Sequence, residues 1–163
     1  MTRDQGLAPP VALPNATAEQ LHVEFWTGFL DRARRQGVPT APEPSVKHYI
    51  AFSAGIGDPT HYSYVIREHD AQVALIIDGG NVAANKRTFD QLHAAKRAVE
   101  ASFGEPLYWE RLDQIRRCRI ALDLPGGGLR DRERWPEIQD RLIEAMVRLE
   151  KALRPQIHRL PSR

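Results

Sequence analysis

Alternating apolar residues along one short stretch limit the folds open to this chain more than any other feature. The stretch is HYSYVIREHDAQVALIID, His61 to Asp78. Its alternation on both sides of a short polar segment is typical of two strands that join at a tight turn and share a buried face. With a two-residue turn at His69-Asp70, three apolar pairs follow: Ile66 with Val73, Tyr64 with Leu75, and Tyr62 with Ile77.

A third strand is predicted from His48 to Ser53. If the preceding loop is centred on Gly57, Phe52 lies opposite Tyr62 and Ile50 opposite Tyr64, on the same apolar face. The other face mixes small and polar residues: Tyr49, Ala51, Ser53, His61, Ser63, Val65, Ala74 and Ile76. That face is expected to meet solvent, a partner or another copy of the chain.

Three helices frame these strands. Thr17 and Gln20 form a Thr-x-x-Gln capping box, which predicts a helix over 18–36 that ends at Gly37. A second helix follows the loop DGGN, with its apolar stripe at Phe89, Leu92, Val99 and Phe103. A third begins at Pro136, with its apolar stripe at Ile138, Leu142, Met146, Leu149 and Leu153.

A second hairpin is predicted within PLYWERLDQIRRCRIALDL. A two-residue turn at Asp113-Gln114 pairs Leu107 with Ile120, Trp109 with Cys118, and Glu110 with Arg117. The element order is then αβββαββα. This predicts an α+β fold with a five-stranded, largely antiparallel or mixed sheet and helices packed on one face.

Length and composition favour one domain. The 163 residues are divided into a disordered leader over 1–16, a single α+β domain over 17–157 and a frayed basic tail over 158–163. No segment approaches the length of a membrane span, and the single cysteine, Cys118, is expected to be a reduced core thiol. We therefore expect a cytoplasmic protein without a membrane partner.

The element order also resembles the αβββαβ core of restriction-endonuclease-like nucleases. Such a site needs two acids near strand ends, for which Asp58 and Asp78 are the candidates. The lysine expected two residues after Asp78 is replaced by Gly80, and Lys86 would have to substitute for it. Both acids also belong to common turn dipeptides, so a non-catalytic protein is favoured.

Metal and cofactor signals are weak. His48 and His61 fall on opposite faces of the predicted sheet, and PGGG and DGG lack the layout of a phosphate-binding loop. We therefore expect neither a metal nor a cofactor. Lys96, inside the apolar stripe of the second helix, is expected to form a structural ion pair or to lie at a boundary; the alternative is an anion-binding or catalytic lysine.

The second hairpin carries the strongest functional signal. In the predicted register Tyr108 faces Arg119, Arg117 lies beside them, and Arg111 faces Arg116, where an anion would relieve the repulsion. Lys86 and Arg97 flank this hairpin from the second helix. Basic side chains beside an exposed aromatic are typical of nucleic-acid contacts. The alternative is a solvated, charged hairpin.

Spaced aromatic residues over most of the chain resemble an uncharacterised bacterial domain family. The resemblance is carried by Phe25-Trp26, by KRTFDQLHAAKRAVEASFGEPLYWERLDQIRRCRIAL, by Trp135 and by LRPQI, and it covers roughly residues 25–157. Members commonly follow a restriction-endonuclease-like nuclease module. The resemblance implies a nucleic-acid context and no particular activity.

Together these patterns favour a non-catalytic accessory or interaction domain in a bacterial restriction- or defence-type context, with weak nucleic-acid binding. Its partners would be nucleic acid, a second copy of the chain or a nuclease-type protein. Two alternatives stay open: a divergent metal-dependent nuclease that uses Asp58, Asp78 and Lys86, and a purely structural homodimer.

Overall fold

The computed structural model describes residues 16–55 and 60–161 of the 163-residue chain. The elements are α1 (Ala18–Gln36), β1 (Tyr49–Ser53), β2 (Thr60–Ile66), β3 (Ala71–Ile77), α2 (Val82–Ala94), α3 (Lys96–Phe103), β4 (Tyr108–Glu110), β5 (Cys118–Leu124), a short 3-10 turn (Arg132–Arg134) and α4 (Trp135–His158). The predicted α+β class and the order αβββαββα are confirmed, with the middle helical segment divided in two. A likeness to a nuclease core beyond this order stays a prediction.

The strands form one antiparallel sheet in the order β1-β2-β3-β5-β4. The predicted register of β1 on β2 is confirmed, because Phe52 lies opposite Tyr62 and Ile50 opposite Tyr64. β3 is the central strand, and six of its seven residues are buried. The edges are β1 and the short β4.

The predicted register of the β2–β3 hairpin is wrong by two residues. Its turn is Glu68-His69, because the Arg67 amide donates to the carbonyl of Asp70 at 2.9 Å, and the two side chains form an ion pair at 3.0 Å. Ile66 therefore lies opposite Ala71, and Tyr64 opposite Val73. A shift of two residues preserves the alternation, so every side chain still faces the predicted side of the sheet.

The predicted register of the second hairpin is also wrong by two residues. β4 ends at Glu110 and β5 begins at Cys118, so the connection is the segment 111–117 and not a two-residue turn. Trp109 lies opposite Ile120, and Glu110 lies opposite Arg119. This longer segment, called the cage loop below, is shaped by hydrogen bonds to α2 that the local sequence does not reveal.

α1 begins and ends where the sequence predicts. The Thr17 hydroxyl accepts from the Gln20 amide at 3.2 Å, and the Gln20 side chain accepts from the Thr17 amide at 2.9 Å, which completes the capping box. Gly37 ends the helix in the left-handed region, at φ 67°. The Trp26 indole then donates to the carbonyl of Lys47 at 2.9 Å and ties the helix to the approach to β1.

The helices of the described residues pack on one face of the sheet, called the inner face. The Phe29 ring contacts the Tyr64 ring at 4.6 Å, and the Phe89 ring lies 6.3 Å from that of Trp109. α4 joins α1 through the buried Gln139 side chain, which donates to the carbonyl of Phe25 at 3.0 Å. The opposite side of the sheet, called the outer face, carries no helix from the described residues.

The middle helix is broken at Ala95, where the backbone leaves the helical region at ψ 15°. One continuous helix is therefore a wrong prediction, although its four stripe residues are all buried as expected. The side chain of Lys96 is 45 % exposed and lies 3.9 Å from the Glu100 carboxylate. The predicted ion pair at the boundary of the core is confirmed.

Cys118 is fully buried on β5, as predicted for a core thiol, and this burial raises its pKa. Several predictions fall on residues 1–15, 56–59 and 162–163, outside the described residues. They include most of the leader, the loop centre at Gly57, Asp58 and the end of the tail. Across the described ranges, no helix combines the length and the apolar character needed to cross a membrane.

Candidate functional site

The outer face is organised in rows that cross the sheet. The register places Ala51, Ser63, Ala74, Ala121 and Tyr108 in one continuous row from β1 to β4. On one side lies a second row, composed of Tyr49, Val65, Gln72 and Asp123, and on the other a third, composed of Ser53, His61, Ile76, Arg119 and Glu110. Because the middle row is small except at Tyr108, larger side chains stand on both sides of a low floor.

A groove with a cavity volume of about 390 Å³ lies on this face. It is lined by residues of all three rows and of the strand ends: His48, Tyr49, His61, Ser63, Val65, Arg67, Gln72, Ile76, Asp78, Arg117 and Arg119. Ser63 and Gln72 are each 4 % exposed, so their side chains are packed in place among their neighbours. The packing of these side chains therefore fixes the shape of the groove floor.

Positive charge dominates the lining of the groove, which contains three arginines and one acid. Arg67 is held at one end by Asp70, at 3.0 Å, and lies 3.7 Å from Asp123. The Gln72 amide donates to Asp123 at 2.7 Å, which orients that carboxylate. The charged and amide side chains at this end of the groove are therefore already bonded to one another.

The other end of the groove holds Arg119 and Arg117. Arg119 donates to Glu110 from two nitrogens, at 3.0 Å and 2.5 Å. Arg117 is exposed, and its guanidinium has no acidic partner among the described residues. Asp78 accepts a hydrogen bond from Arg116 at 2.7 Å. Arg117 is therefore the cation of the groove that is available to an anion.

His48 and His61 both line the groove on its β1–β2 side, contrary to their predicted positions on opposite faces of the sheet. Partial burial lowers the pKa of His48, and the charges of His22 and Arg67 lower it further. The His48 imidazole is therefore biased toward its neutral form, in which one ring nitrogen accepts and the other donates a hydrogen bond. The groove thus offers neutral polar contacts as well as arginine charge.

The predicted repulsive pair is corrected by the structure. Arg111 pairs with Asp90 at 3.0 Å and also with Asp113, whereas Arg116 pairs with Asp78. These hydrogen bonds raise the pKa of both arginines. No repulsion between Arg111 and Arg116 remains for an anion to relieve.

The predicted contact of Tyr108 with Arg119 is also corrected. Tyr108 lies opposite Ala121, on the edge strand, and is 57 % exposed. The predicted partner of Glu110 changes from Arg117 to Arg119 for the same reason, the shift of register by two residues. This change leaves Arg117 without the ion pair that the sequence suggested.

Lys86 is the buried lysine of the protein, with 7 % of its surface exposed. Its ammonium donates to four main-chain carbonyls of the cage loop: Arg111 at 2.5 Å, Leu112 at 2.9 Å, Ile115 at 2.9 Å and Arg117 at 3.2 Å. The preceding residue, Asn85, is fully buried and bonds Gly79 and Arg116. Lys86 thus faces the loop backbone from the helix layer.

The predicted nucleic-acid residues are therefore divided between two sides of the molecule. Arg117 and Arg119 line the outer groove, and Tyr108 ends its floor. Arg97 is exposed on α3, in the helix layer, and Arg111 contacts Asp90 of α2. The hairpin is not one continuous basic patch.

The nuclease alternative gains no support from the geometry of its residues. The carboxylate of Asp78 is bonded to Arg116, and the ammonium of Lys86 is enclosed by carbonyls. Asp58 lies outside the described residues. Within the described ranges, no three histidine, cysteine or acidic side chains are grouped as a metal site would require.

The sequence pattern did not assign three residues of this site to the outer face: His48, Arg67 and Gln72. His48 directly precedes β1 and Arg67 directly follows β2, where a sequence pattern does not show which way a side chain turns. Gln72 could have been found, since it alternates with the buried Val73 and so belongs to the outer face.

Comparison with known proteins identifies a family without indicating an activity. The model of a family described as Domain of unknown function (DUF4268) matches residues 21–157. No curated protein and no solved structure matches the chain. The match spans every helix and strand except the first residues of α1 and the last residue of α4.

Proposed function

This chain belongs to the DUF4268 family, and we propose that it is a non-catalytic accessory domain that binds single-stranded nucleic acid in the groove of its outer face. The proposed setting is a bacterial restriction- or defence-type system, which the resemblance of the sequence supports. In this setting the domain would hold nucleic acid for a nuclease-type partner.

The observation that carries the proposal is the charge of Arg117, which has no acidic partner among the described residues, in a groove with three arginines and one acid. Arg67 and Arg119 already have carboxylate partners, so a phosphate would have to displace an acid to reach them. Arg117 has no such competitor among the described residues. A phosphate at Arg117 would gain a charge-assisted hydrogen bond without breaking an existing ion pair.

Aromatic residues at both edges of the sheet favour a single strand over a duplex. Tyr108 on β4 and Tyr49 on β1 both face the outer side, with the small floor residues between them. Five strands spaced at about 4.8 Å separate these edges by roughly 19 Å. Unpaired bases can stack on such rings, whereas bases within a duplex are already stacked.

Binding of this kind is expected to be weak and to depend on salt. Contacts with phosphates that are independent of sequence have dissociation constants of about 10⁻⁴ to 10⁻⁶ M. The logarithm of the binding constant falls with the logarithm of the salt concentration by about 0.7 for each phosphate contact of a single strand. The change in this slope when an arginine is replaced therefore gives the number of phosphate contacts that the arginine makes.

The decisive experiment compares two exposed arginines, Arg117 at the outer groove and Arg97 in the helix layer. Oligonucleotide binding is measured by fluorescence anisotropy over a series of salt concentrations for Arg117→Ser and Arg97→Ser. Arg117→Ser should reduce the salt slope by about 0.7, and Arg97→Ser should leave it unchanged. Equal effects of the two variants, or no binding at low salt, would contradict the proposal.

Tyr108→Ala separates single-strand from duplex binding in the same assay. Loss of a stacking ring weakens binding by about 1–3 kcal/mol per base, so the single strand should lose affinity while the duplex keeps it. A parallel loss for both forms would show that the Tyr108 ring is not a stacking platform.

The enzyme and homodimer alternatives are distinguished with the same purified protein. Plasmid and single-stranded substrates should stay intact with magnesium or manganese, and cleavage that Asp78→Ala abolishes would establish the nuclease instead. Sedimentation with and without oligonucleotide tests the outer face as a dimer interface. Self-association that oligonucleotide fails to displace would favour the structural homodimer.

A further inference from the structure

The ammonium of Lys86 lies within a shell of main-chain oxygens. Four carbonyls of the cage loop surround its nitrogen at 2.5–3.2 Å. An ammonium has three hydrogens, so four acceptors exceed its donors and surround the charge from several directions. No carboxylate among the described residues forms an ion pair with Lys86. The direct contacts of the charge are therefore main-chain carbonyls, and the Asp90 carboxylate adds a weaker attraction without forming an ion pair.

The loop conformation depends on this shell. Leu112 is the sole non-glycine residue of the described chain in the left-handed region, at φ 54°, and its carbonyl is one of the four ligands. Such a conformation is unfavourable for a residue with a side chain and persists where surrounding contacts enforce it. The bonds to Lys86 supply that enforcement at Leu112 and at its neighbour Arg111.

A second anchor holds the Arg116 end of the cage loop independently of Lys86. The Asn85 side chain accepts from the Gly79 amide at 3.0 Å and donates to the carbonyls of Gly79 at 3.0 Å and Arg116 at 3.2 Å. These bonds tie the loop to α2 and to the end of β3. Arg116 lies between two of the four carbonyl residues, and the Ile115 amide donates to the Leu112 carbonyl at 3.0 Å, so part of the loop keeps its own contacts without the ammonium.

We propose that the cage loop is a main-chain binding site for a monovalent cation of the potassium or ammonium class, which Lys86 fills with its own side chain. Carbonyl rings of this kind replace the hydration shell of potassium in channels. Divalent ions select carboxylate ligands, which this shell lacks. The inference does not depend on nucleic-acid binding, and its test contains no nucleic acid.

The proposal makes the lysine replaceable by a free ion. Lys86→Ala removes the ammonium and most of its stem while leaving the four carbonyls, so an ion from solution can enter. A ligand that binds only the folded state raises stability with its concentration. Lys86→Met also removes the charge, but its side chain fills the path of the stem and keeps an ion out.

The experiment measures thermal unfolding of the full chain at constant ionic strength in different chlorides. The midpoint of Lys86→Ala should rise with the concentration of potassium, ammonium or methylammonium, and should not rise with lithium or choline. Wild type, Lys86→Met and the control Lys96→Ala should show no such selectivity. Lys96 is the matched control because its ammonium lies beside a carboxylate on the surface.

A Lys86→Ala midpoint that is the same in every salt would overturn the proposal. Equal selectivity in Lys86→Met would overturn it too, since that variant has no room for an ion. If Lys86→Ala folds in potassium or methylammonium but not in choline, the result supports the proposal in its strongest form.

If Lys86→Ala does not fold in any of these salts, the proposal is tested on the wild-type protein instead. The sequence contains four lysines, whose side-chain nitrogens can be labelled and observed by NMR. The Lys86 ammonium, identified by its loss in Lys86→Met, should exchange its hydrogens at least roughly tenfold more slowly than Lys96, a factor that corresponds to about 1.4 kcal/mol of opening free energy. Exchange as fast as that of Lys96 would overturn the proposal.

Discussion

At the scale of single residues, two neighbours on α2 join three parts of the fold. Asn85 bonds Gly79 and Arg116, and Lys86 bonds the cage loop between β4 and β5. Both side chains are buried, so each unpaired group that a substitution leaves behind would be cut off from water. Asp78 directly follows β3 and Arg117 directly precedes β5, so these bonds from α2 also fix the backbone next to both groove residues.

Asn85→Ala tests this anchor. The substitution leaves the Gly79 amide and two carbonyls without their partner, so the free energy of unfolding should fall by about 2–3 kcal/mol. The control is Asn81→Ala, which removes an N-cap that accepts from Ala84 at 2.9 Å and should cost about 1 kcal/mol. Urea denaturation measures both. A loss for Asn85→Ala no larger than for Asn81→Ala would show that the anchor is weak.

At the scale of elements, helix ends are specified by neighbours in the sequence, whereas hairpin connections are not. The capping box of α1 needs only Thr17 and Gln20, three residues apart, and both of its bonds are present. The turn of the β2–β3 hairpin depends on how Arg67 meets Asp70 and Asp123, and the last of these is on β5. Contacts with distant elements decide where a turn lies when the local sequence permits more than one register.

Thr17→Ala should weaken α1 measurably. Loss of the N-cap hydroxyl should lower the free energy of unfolding by about 1 kcal/mol. The control is Thr27→Ala, within the same helix, where the hydroxyl donates to the carbonyl of Val23. Alanine favours a helix interior, so this control should be neutral or slightly stabilising. Equal losses in urea denaturation would contradict the role of the cap.

At the scale of the whole molecule, one core between the sheet and the helix layer encloses several weak acids. Tyr62, Tyr64 and Cys118 all face inward and are almost fully buried. Burial raises the pKa of each of them in the folded protein. The core therefore keeps these groups protonated, and its stability should depend on pH in the alkaline range.

The sign of this dependence follows from where each state releases its protons. Below the pKa values of the unfolded chain, about 8.5 for cysteine and about 10 for tyrosine, both states are protonated and these groups leave stability unchanged. Above those values only the unfolded chain ionises. Each group then lowers the free energy of unfolding by about 1.4 kcal/mol per pH unit, until the folded protein also ionises.

Urea denaturation over the alkaline range measures this loss. Stability should begin to fall above about pH 8.5 and fall more steeply above about pH 10. The double variant Tyr62→Phe/Tyr64→Phe should lose the steeper part of the decrease, because its unfolded chain has two fewer phenols to ionise. A free energy of unfolding that is constant up to about pH 11 would contradict the burial of these groups.

The elements of this protein and the faces of its strands were determined by the sequence itself. Helix caps, the period of a helix and the alternation of a strand are local, so α1 and both faces of β2 and β3 could be predicted. Part of the site was predictable for the same reason: Tyr49, His61 and Ser63 were placed correctly on the outer face. The register errors of two residues did not change those assignments.

Tertiary structure alone decided which charges are paired and which lysine is buried. Lys96 lies within the apolar stripe of the sequence, yet the break at Ala95 lies beside it and its side chain is half exposed, in the ion pair that the sequence predicted. Lys86 is buried because carbonyls 25 to 31 residues further along the chain close around it. The same loop leaves Arg117 without an acidic partner among the described residues, whereas Arg111 pairs with two acids and Arg116 with one. Such partners meet only when strands and helices have packed, because no local pattern relates residues that far apart in sequence.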